Sequence, residues 1–424
     1  MSAKRNTAPR VRRAGPKRTT SAPACIPAAA RTKDCSIRPF IVMEVLERAL
    51  ELERAGRNVV HLEIGEPDFP TPPRIVRAAE EALRRGDTHY TDSRGAAALR
   101  AAIARHYETE YGASVPPDRV IVTMGTSPAL LLVLSLLIEE PGDEIVVGDP
   151  GYPCYPNFIR HLRGVPRRVA TGERSGFQLD PDAVRRAIGP RTKAIIVNSP
   201  SNPAGTLLPA GDLAELCDLG IPVISDEIYH GLVYGERARS ALECTGDAFV
   251  LNGFSKRYAM TGWRLGWVIA PERHIRRLQI LQQNLFICAS AFAQQAGIAA
   301  LSETHPEIEE MRRMYDARRR YLLAELPRIG LRFAVEPRGA FYFLVNARHL
   351  DADSLRLAFD MLERSGVAVA PGIDFGEAGE GYLRISYANS IERIAEGVRR
   401  IERYVNDRPR RRSGTGKGGM RHEA

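Results

Sequence analysis

The sequence contains no apolar run long enough to cross a bilayer. Residues 129–134 are among its longest uninterrupted apolar stretches, whereas a membrane-spanning helix needs ~20 residues. No charged segment followed by an apolar run offers a secretory signal. Cysteine is scarce, with six in 424 residues. None of Cys25, Cys35, Cys154, Cys217, Cys244 and Cys288 forms a C-x-x-C pair or joins a histidine cluster. That argues against a zinc site or a disulfide scaffold, and predicts free thiols in a reducing, cytoplasmic compartment. Acidic residues are missing from residues 1–33, which hold nine Lys and Arg. Residues 408–424 hold six, against one Glu. The formal net charge of +9 therefore belongs to two tails, and the chain between them is mildly acidic. Both tails are rich in Pro, Gly, Ser, Thr and Arg and lack apolar periodicity, so they read as disordered ends. The first is Arg-rich like a transit peptide, but no amphipathic helix is evident in it. Gly414-Thr-Gly-Lys-Gly418 lacks the spacing, the hydroxyl and the preceding strand of a phosphate loop.

What remains is the composition of an ordinary globular protein, 44% apolar and 26% charged, with a length prior of two or three domains. Helical spacing of apolar residues begins at 42–54 and returns at 73–85 and 96–107. From there short apolar runs alternate with helical segments. Strands are expected at 58–64, 119–123, 144–147, 194–198, 223–226, 249–252 and 265–269. Helices are expected at 127–138, 153–163 and 209–219, and after Pro271 to about 300. Runs of four or five apolar residues between helices predict buried, mostly parallel strands. After a helix at 307–326 the pattern changes to strands at 333–335, 340–345, 367–370 and 382–386 beside helices at 354–364 and 391–405. The class is thus α/β. A large domain would hold a mostly parallel sheet sandwiched by helices, with a smaller α+β domain built from the N-terminal helix and the C-terminal segment. The boundaries are 36–62 and 306–406 for the small domain, 63–305 for the large one, and 1–35 and 407–424 for the tails.

Five local features carry chemistry. Asn252-Gly-Phe-Ser-Lys256 places a lysine just after a buried strand, followed by Arg264. Lysine is rarely buried unless it is paired or functional; among apolar groups its pKa falls and it becomes an amine nucleophile. The alternative is a surface loop. Asp226 ends an apolar strand, three residues before Tyr229, either as a helix cap or as partner to a protonated ring nitrogen. Asn198-Ser-Pro-Ser-Asn202-Pro-Ala-Gly205 is a rigid turn presenting an asparagine. Thr123-Met-Gly125-Thr126-Ser127 is a strand–glycine–hydroxyl–helix junction, suited to a phosphate or merely capped. Arg384, inside the apolar strand Tyr382-Leu-Arg-Ile-Ser386, needs an anion, either a bound carboxylate or a structural ion pair.

With Gly65-Glu-Pro-Asp-Phe69, Tyr90-Thr-Asp-Ser-Arg-Gly95 and Pro150-Gly-Tyr152-Pro, these motifs make the chain similar to the class I aminotransferases. This is the aspartate-aminotransferase superfamily of fold-type-I pyridoxal-phosphate enzymes. The match runs over residues 36–404. The resemblance implies that Lys256 carries pyridoxal 5′-phosphate and shuttles a proton during transfer. It implies that Asp226 pairs with the ring nitrogen, that Asn202 and Tyr229 bond the 3′-oxygen, and that Tyr152 stacks on the ring. Gly125, Thr126, Ser127, Ser255 and Arg264 would cradle the phosphate. Tyr90 would reach the phosphate of a neighbouring subunit, which implies a homodimer with shared sites. Arg384 would clamp the substrate α-carboxylate, helped by Asn202 and the backbone of Gly65. The chain departs from many relatives in having Gly253 three residues before the lysine and Pro128 in the first helical turn.

The resemblance implies ping-pong transfer of an amino group from an L-amino acid to a 2-oxo acid. Relatives recognise a side-chain carboxylate with an Arg before the long C-terminal helices or a Lys near the phosphate loop. Here residues 278–311 hold neither Lys nor Arg, and Ser127 takes the second position. Glu63 near the substrate-facing loop would either repel a second carboxylate or be a hydrogen-bonded strand residue. Neutral, apolar or aromatic donors are therefore expected over aspartate. A lyase of the same fold, such as a carbon–sulfur lyase, would share the cofactor contacts. An aminotransferase-like regulator would need a DNA-binding domain for which the N-terminal residues are too few.

Overall fold

The computed structural model describes residues 37–407. The tails assigned to 1–35 and 407–424 lie outside the described residues, Asp407 excepted. The chain opens with α1 (Ile41–Arg54), β1 (Val60–His61), α2 (Pro73–Arg85), α3 (Ala97–Tyr111) and β2 (Val120–Thr123). It then alternates: α4 (Thr126–Leu137), β3 (Glu144–Asp149), α5 (Cys154–His161), β4 (Val165–Ala170), α6 (Pro181–Ala187), β5 (Thr192–Asn198), α7 (Ala210–Cys217) and β6 (Val223–Asp226). After β7 (Phe249–Gly253) and β8 (Gly266–Ile269) come α8 (Glu272–Leu285), α9 (Ala291–Ser302) and α10 (Pro306–Arg328). The last part holds β9 (Tyr342–Asn346), α11 (Ser354–Ser365), β10 (Val367–Ala368), β11 (Ala370–Pro371), β12 (Tyr382–Ser386) and α12 (Ile391–Asn406).

Seven strands form one sheet in the order β2-β8-β7-β6-β5-β3-β4. Neighbours run parallel except where β8 meets β2 and β7. Successive strand residues face opposite ways, and the Val- and Ile-rich strands feed two cores. Val122, Val146, Ile195, Val197, Val223 and Val250 pack with α2, α3, α7 and α9. Ile121, Ile145, Ile196, Ile224, Leu251 and Val268 pack with α4, α5 and α8. This is why these runs lack polar alternation. The site lies at the carboxyl ends of β5, β6 and β7, where open α/β sheets bind ligands.

A second, three-stranded antiparallel sheet runs β11-β12-β9, and β1 pairs with β10 in parallel. Tyr315, Phe341, Phe343, Leu357, Tyr387 and Ile394 form its core, joined by Val60 and Leu62 from the other end of the chain. Several elements depart from the sequence expectation, the strand expected at 367–370 among them, which divides into β10 and β11 in different sheets. Residues 333–335 form no strand; the only pairing there is a bridge from Arg332 to Asn346, and Phe333 instead packs on Phe343 at 5.2 Å between ring centres. β4 and α6 occupy residues left unassigned. β4 lies at the sheet edge with its Arg167 exposed, so it has little apolar signal to read. Among the described residues, no helix is long and apolar enough to cross a membrane.

Candidate active site

Lys256 follows β7 on a turn, and its Nζ donates to the carbonyl of Gly65 at 2.5 Å. Burial depresses the amine to about 8; Glu66 raises it, Arg384 and Arg264 lower it further, and Asp226 raises it. An amine poised there carries a usable unprotonated fraction near neutral pH, and that fraction is nucleophilic. Gly65 has no room for a side chain, since a Cβ would collide with the hydroxyl of Tyr342. The segment after β1 can therefore press its carbonyl against the lysine.

Arg384 is 2% exposed. One terminal nitrogen donates to Asn202 Oδ1 at 2.9 Å and the other to the carbonyl of Glu63. Its Nε has no partner, and no carboxylate of the described residues forms an ion pair with it. The guanidinium stacks on Tyr342 at 4.4 Å and Phe375 at 4.9 Å. The structural ion pair is thus excluded among the described residues, and a buried cation with a free donor is left waiting for an anion.

Asp226 ends β6. Its Oδ2 accepts from Tyr155 at 2.6 Å and its Oδ1 from the Ile228 N–H at 3.2 Å. Burial raises its carboxyl, while Tyr155, the Ile228 N–H and Lys256 oppose the rise. Asn198 joins two functional positions: its amide donates to the Asp226 carbonyl at 3.0 Å and its Oδ1 accepts from the Asn202 N–H at 2.9 Å. Tyr229 and Tyr342 share a hydroxyl contact of 2.8 Å. Tyr152 stands edge-on to Tyr155 at 5.3 Å and to Phe40 at 6.1 Å.

At the start of α4, Gly125 is the N-cap with φ of 99°, and no side chain caps the helix. A Cβ at Gly125 would stand 2.5 Å from the guanidinium of Arg264. Glycine is needed for both reasons, and the result is a helix N-terminus facing an exposed arginine. Thr126 and Ser127 form the first turn, and Ser255 is buried beside Lys256. Gly253 has its own cause: a Cβ there would meet the Leu265 carbonyl at 2.9 Å, because β7 and β8 approach closely.

Lys256, Gly65, Asp226, Asn202, Tyr229, Arg384, Tyr152, Ser255, Arg264, Gly125, Thr126 and Ser127 thus converge. Tyr90 does not join them; its side chain is 80% exposed. Glu63 turns its carboxylate to His61 Nδ1 at 2.7 Å, which is the hydrogen-bonded alternative; only its carbonyl reaches Arg384. Two residues not assigned a role from sequence are Tyr155 and Asn198. The spacing of Tyr155 from Tyr152, one helical turn, was the available signal.

Comparison with known proteins agrees with this geometry. The model of the family "Aminotransferase class I and II" matches residues 57–401. The chain belongs to the class I and II aminotransferases. It is 43% identical over 372 residues to a (5-formylfuran-3-yl)methyl phosphate transaminase of Methanocaldococcus jannaschii, covering 87% of this chain and 97% of that one. It is 39% identical over 378 residues to an aspartate/prephenate aminotransferase of Thermus thermophilus, with the same coverage. The solved aspartate aminotransferase from Thermus thermophilus with maleate superposes with a TM-score of 0.82 at 38% identity, covering 87% and 97% of the two chains. This aminotransferase family is pyridoxal-phosphate dependent, and the residues present fit that group. They offer an amine depressed to about 8, a buried acid at the carboxyl end of the central strand, an uncapped helix end beside an arginine, and a buried guanidinium with one unpaired N–H.

Proposed function

We propose that this aminotransferase moves an amino group from a neutral, apolar or aromatic L-amino acid to a 2-oxo acid, with Lys256 carrying pyridoxal phosphate. The observation that carries the reading is Arg384, a buried guanidinium with a free Nε whose charge acts on a depressed lysine. When bound, pyridoxal phosphate supplies the electron sink for the pair left at the substrate Cα. The chain's residues do the rest. Arg384 and Asn202 grip the α-carboxylate and fix the Cα–H bond in front of Lys256. Displaced from the cofactor by the donor's amino group, the freed Lys256 amine would take the proton from Cα and return it two bonds away, at the cofactor carbon beyond the amino nitrogen. Asp226, whose ionised form the Tyr155 bond favours, would keep the ring nitrogen protonated. Tyr229 and Asn202 bond the 3′-oxygen, and Tyr152 covers one ring face. The Gly125–Ser127 helix end, Ser255 and Arg264 take the phosphate. The donor's 2-oxo product leaves before the acceptor binds, which makes the kinetics ping-pong.

The apolar preference is supported by what surrounds Arg384. Phe40, Ile64 and Phe375 pack together beside the guanidinium and Tyr152. Arg384 and Arg264, the cations acting on Lys256, are taken by the α-carboxylate that every donor shares and by the cofactor phosphate. The relatives' names differ in substrate, so they do not set the donor. Exposed Tyr90, Met124, Ile280, Leu285 and Ile287 support a homodimer in which Tyr90 of the partner subunit completes the phosphate site. Residues 36–62 with 306–406 would form a small domain that rocks over 63–305 as substrate binds.

An absorbance titration tests the reading. A visible band should vanish with one donor and return with a 2-oxo acid. Catalytic efficiency should then be higher for phenylalanine or methionine than for aspartate. No band after supplying pyridoxal phosphate overturns the function, and strong aspartate preference overturns the donor class.

A further inference from the structure

The segment Asp226–His230 alternates its roles. Asp226 and Tyr229 face the site, while Glu227 and His230 turn into a dry polar cluster that touches neither substrate nor cofactor positions. His230 Nε2 lies 3.0 Å from the Ser199 carbonyl and its Nδ1 2.8 Å from the Tyr111 hydroxyl. A carbonyl oxygen only accepts, so Nε2 carries the hydrogen. Burial, with His106, Arg257 and Arg237 nearby, holds the ring down at about 3. It is therefore neutral, and Nδ1 accepts from Tyr111 at the end of α3. Glu227 backs this arrangement. Its Oε1 accepts from the hydroxyls of Ser225 and Ser240 and from the Ala241 N–H, and its Oε2 from Tyr107 at 3.1 Å. One ring thus joins α3 to the turn after β5, three residues before Asn202.

We propose that His230 is a positioning residue for substrate binding: by holding the Ser199 carbonyl it fixes the turn 199–202, so that Asn202 meets Arg384 in the geometry that receives an α-carboxylate. Asn198 restrains the same turn at the Asn202 N–H. Ser199 is only partly buried, but losing the His230 N–H leaves its carbonyl without that partner and frees the turn to shift. The path runs from His230 to Ser199 to Asn202 to Arg384. The effect should therefore fall mainly on binding of the carboxylate common to all substrates, and much less on the chemical step at Cα.

The inference rests on the function proposed above, and the two fail differently. The experiment is steady-state kinetics on holoenzyme, wild type against His230→Ala, His230→Gln and Tyr111→Phe, with three amino donors and one 2-oxo acid. A wild type without transaminase activity would overturn the function itself. With an active wild type, His230→Ala should raise KM about tenfold for every substrate, from the loss of one partly buried hydrogen bond, with kcat within about twofold. His230→Gln should restore KM, because its amide can donate to Ser199 and accept from Tyr111. Tyr111→Phe should raise KM by a smaller factor. Unchanged KM in His230→Ala overturns the proposal. So does a joint fall of kcat and melting temperature that glutamine does not rescue. If His230→Ala does not fold, an unchanged KM in Tyr111→Phe overturns it equally.

Discussion

Tyr155→Phe removes one hydroxyl and nothing else. That hydroxyl donates to Asp226 Oδ2 at 2.6 Å in a buried setting. Burial is the largest influence on Asp226 and favours its neutral form; the Tyr155 bond is the largest influence opposing it. Hydrogen bonds to ionised groups contribute about 1.5–3 kcal/mol, and about 1.4 kcal/mol is a factor of ten. The variant keeps only the Ile228 N–H as a direct donor to the carboxylate. The sign follows from that. The lost bond favoured the ionised acid, so the carboxyl rises and the ionised fraction falls first at low pH. The acid limb of kcat/KM should move to higher pH. At a fixed pH on that limb, kcat/KM should drop by about ten- to a hundredfold, with recovery as pH increases. The assay is a pH profile of kcat/KM for one amino donor, wild type beside variant, with a thermal melt to show that the fold persists. An acid limb that does not move would refute the reasoning, because Tyr155 would then not be tuning Asp226.

Two further predictions follow from the same site. Covalent capture of pyridoxal phosphate with borohydride should modify Lys256 and rise through a pH of about 8, since burial lowers the amine from 10.5 to that value; peptide mass mapping checks it, and a midpoint near 10.5 or capture at another lysine contradicts it. Arg384→Leu should lower kcat/KM by at least about thirtyfold for every donor alike, because losing one partner of a buried charged pair costs about 2–5 kcal/mol; a loss confined to one donor's side chain would show that Arg384 reads something other than the α-carboxylate.

The seven-stranded sheet was legible because its strands are buried on both faces. Val120–Thr123 and Val223–Asp226 have no exposed residue, so each reads as an apolar run. β4 was not legible, because an edge strand with Arg167 exposed and Arg168 paired to Asp149 at 2.8 Å resembles a loop. Lys256, Asp226 and Arg384 stood out because a charged residue in or at the end of an apolar strand contradicts its surroundings. Tyr155 and Asn198 did not, since a tyrosine on a helix or an asparagine in a turn contradicts nothing. Their roles appear only when α5 and the turn after β5 are folded against Asp226. Glu63 shows the reverse case: its charge in a strand was visible, but its pairing with His61 depended on which way the strand faced.

The pairing of β1 with β10 sets an order on how the molecule is made. Val60 meets Val367 and His61 meets Ala368, so the chain returns to its own beginning only near its end. On the ribosome, the strands of the seven-stranded sheet and the Lys256 turn are all synthesised by Ile269. The segment from α1 to Gly65 has no strand partner until the ribosome has passed residue 368. Contacts that distant in sequence form slowly. A nascent chain therefore possesses its amine long before it possesses its guanidinium, and it acquires both halves of a working site only once residue 384 has been made.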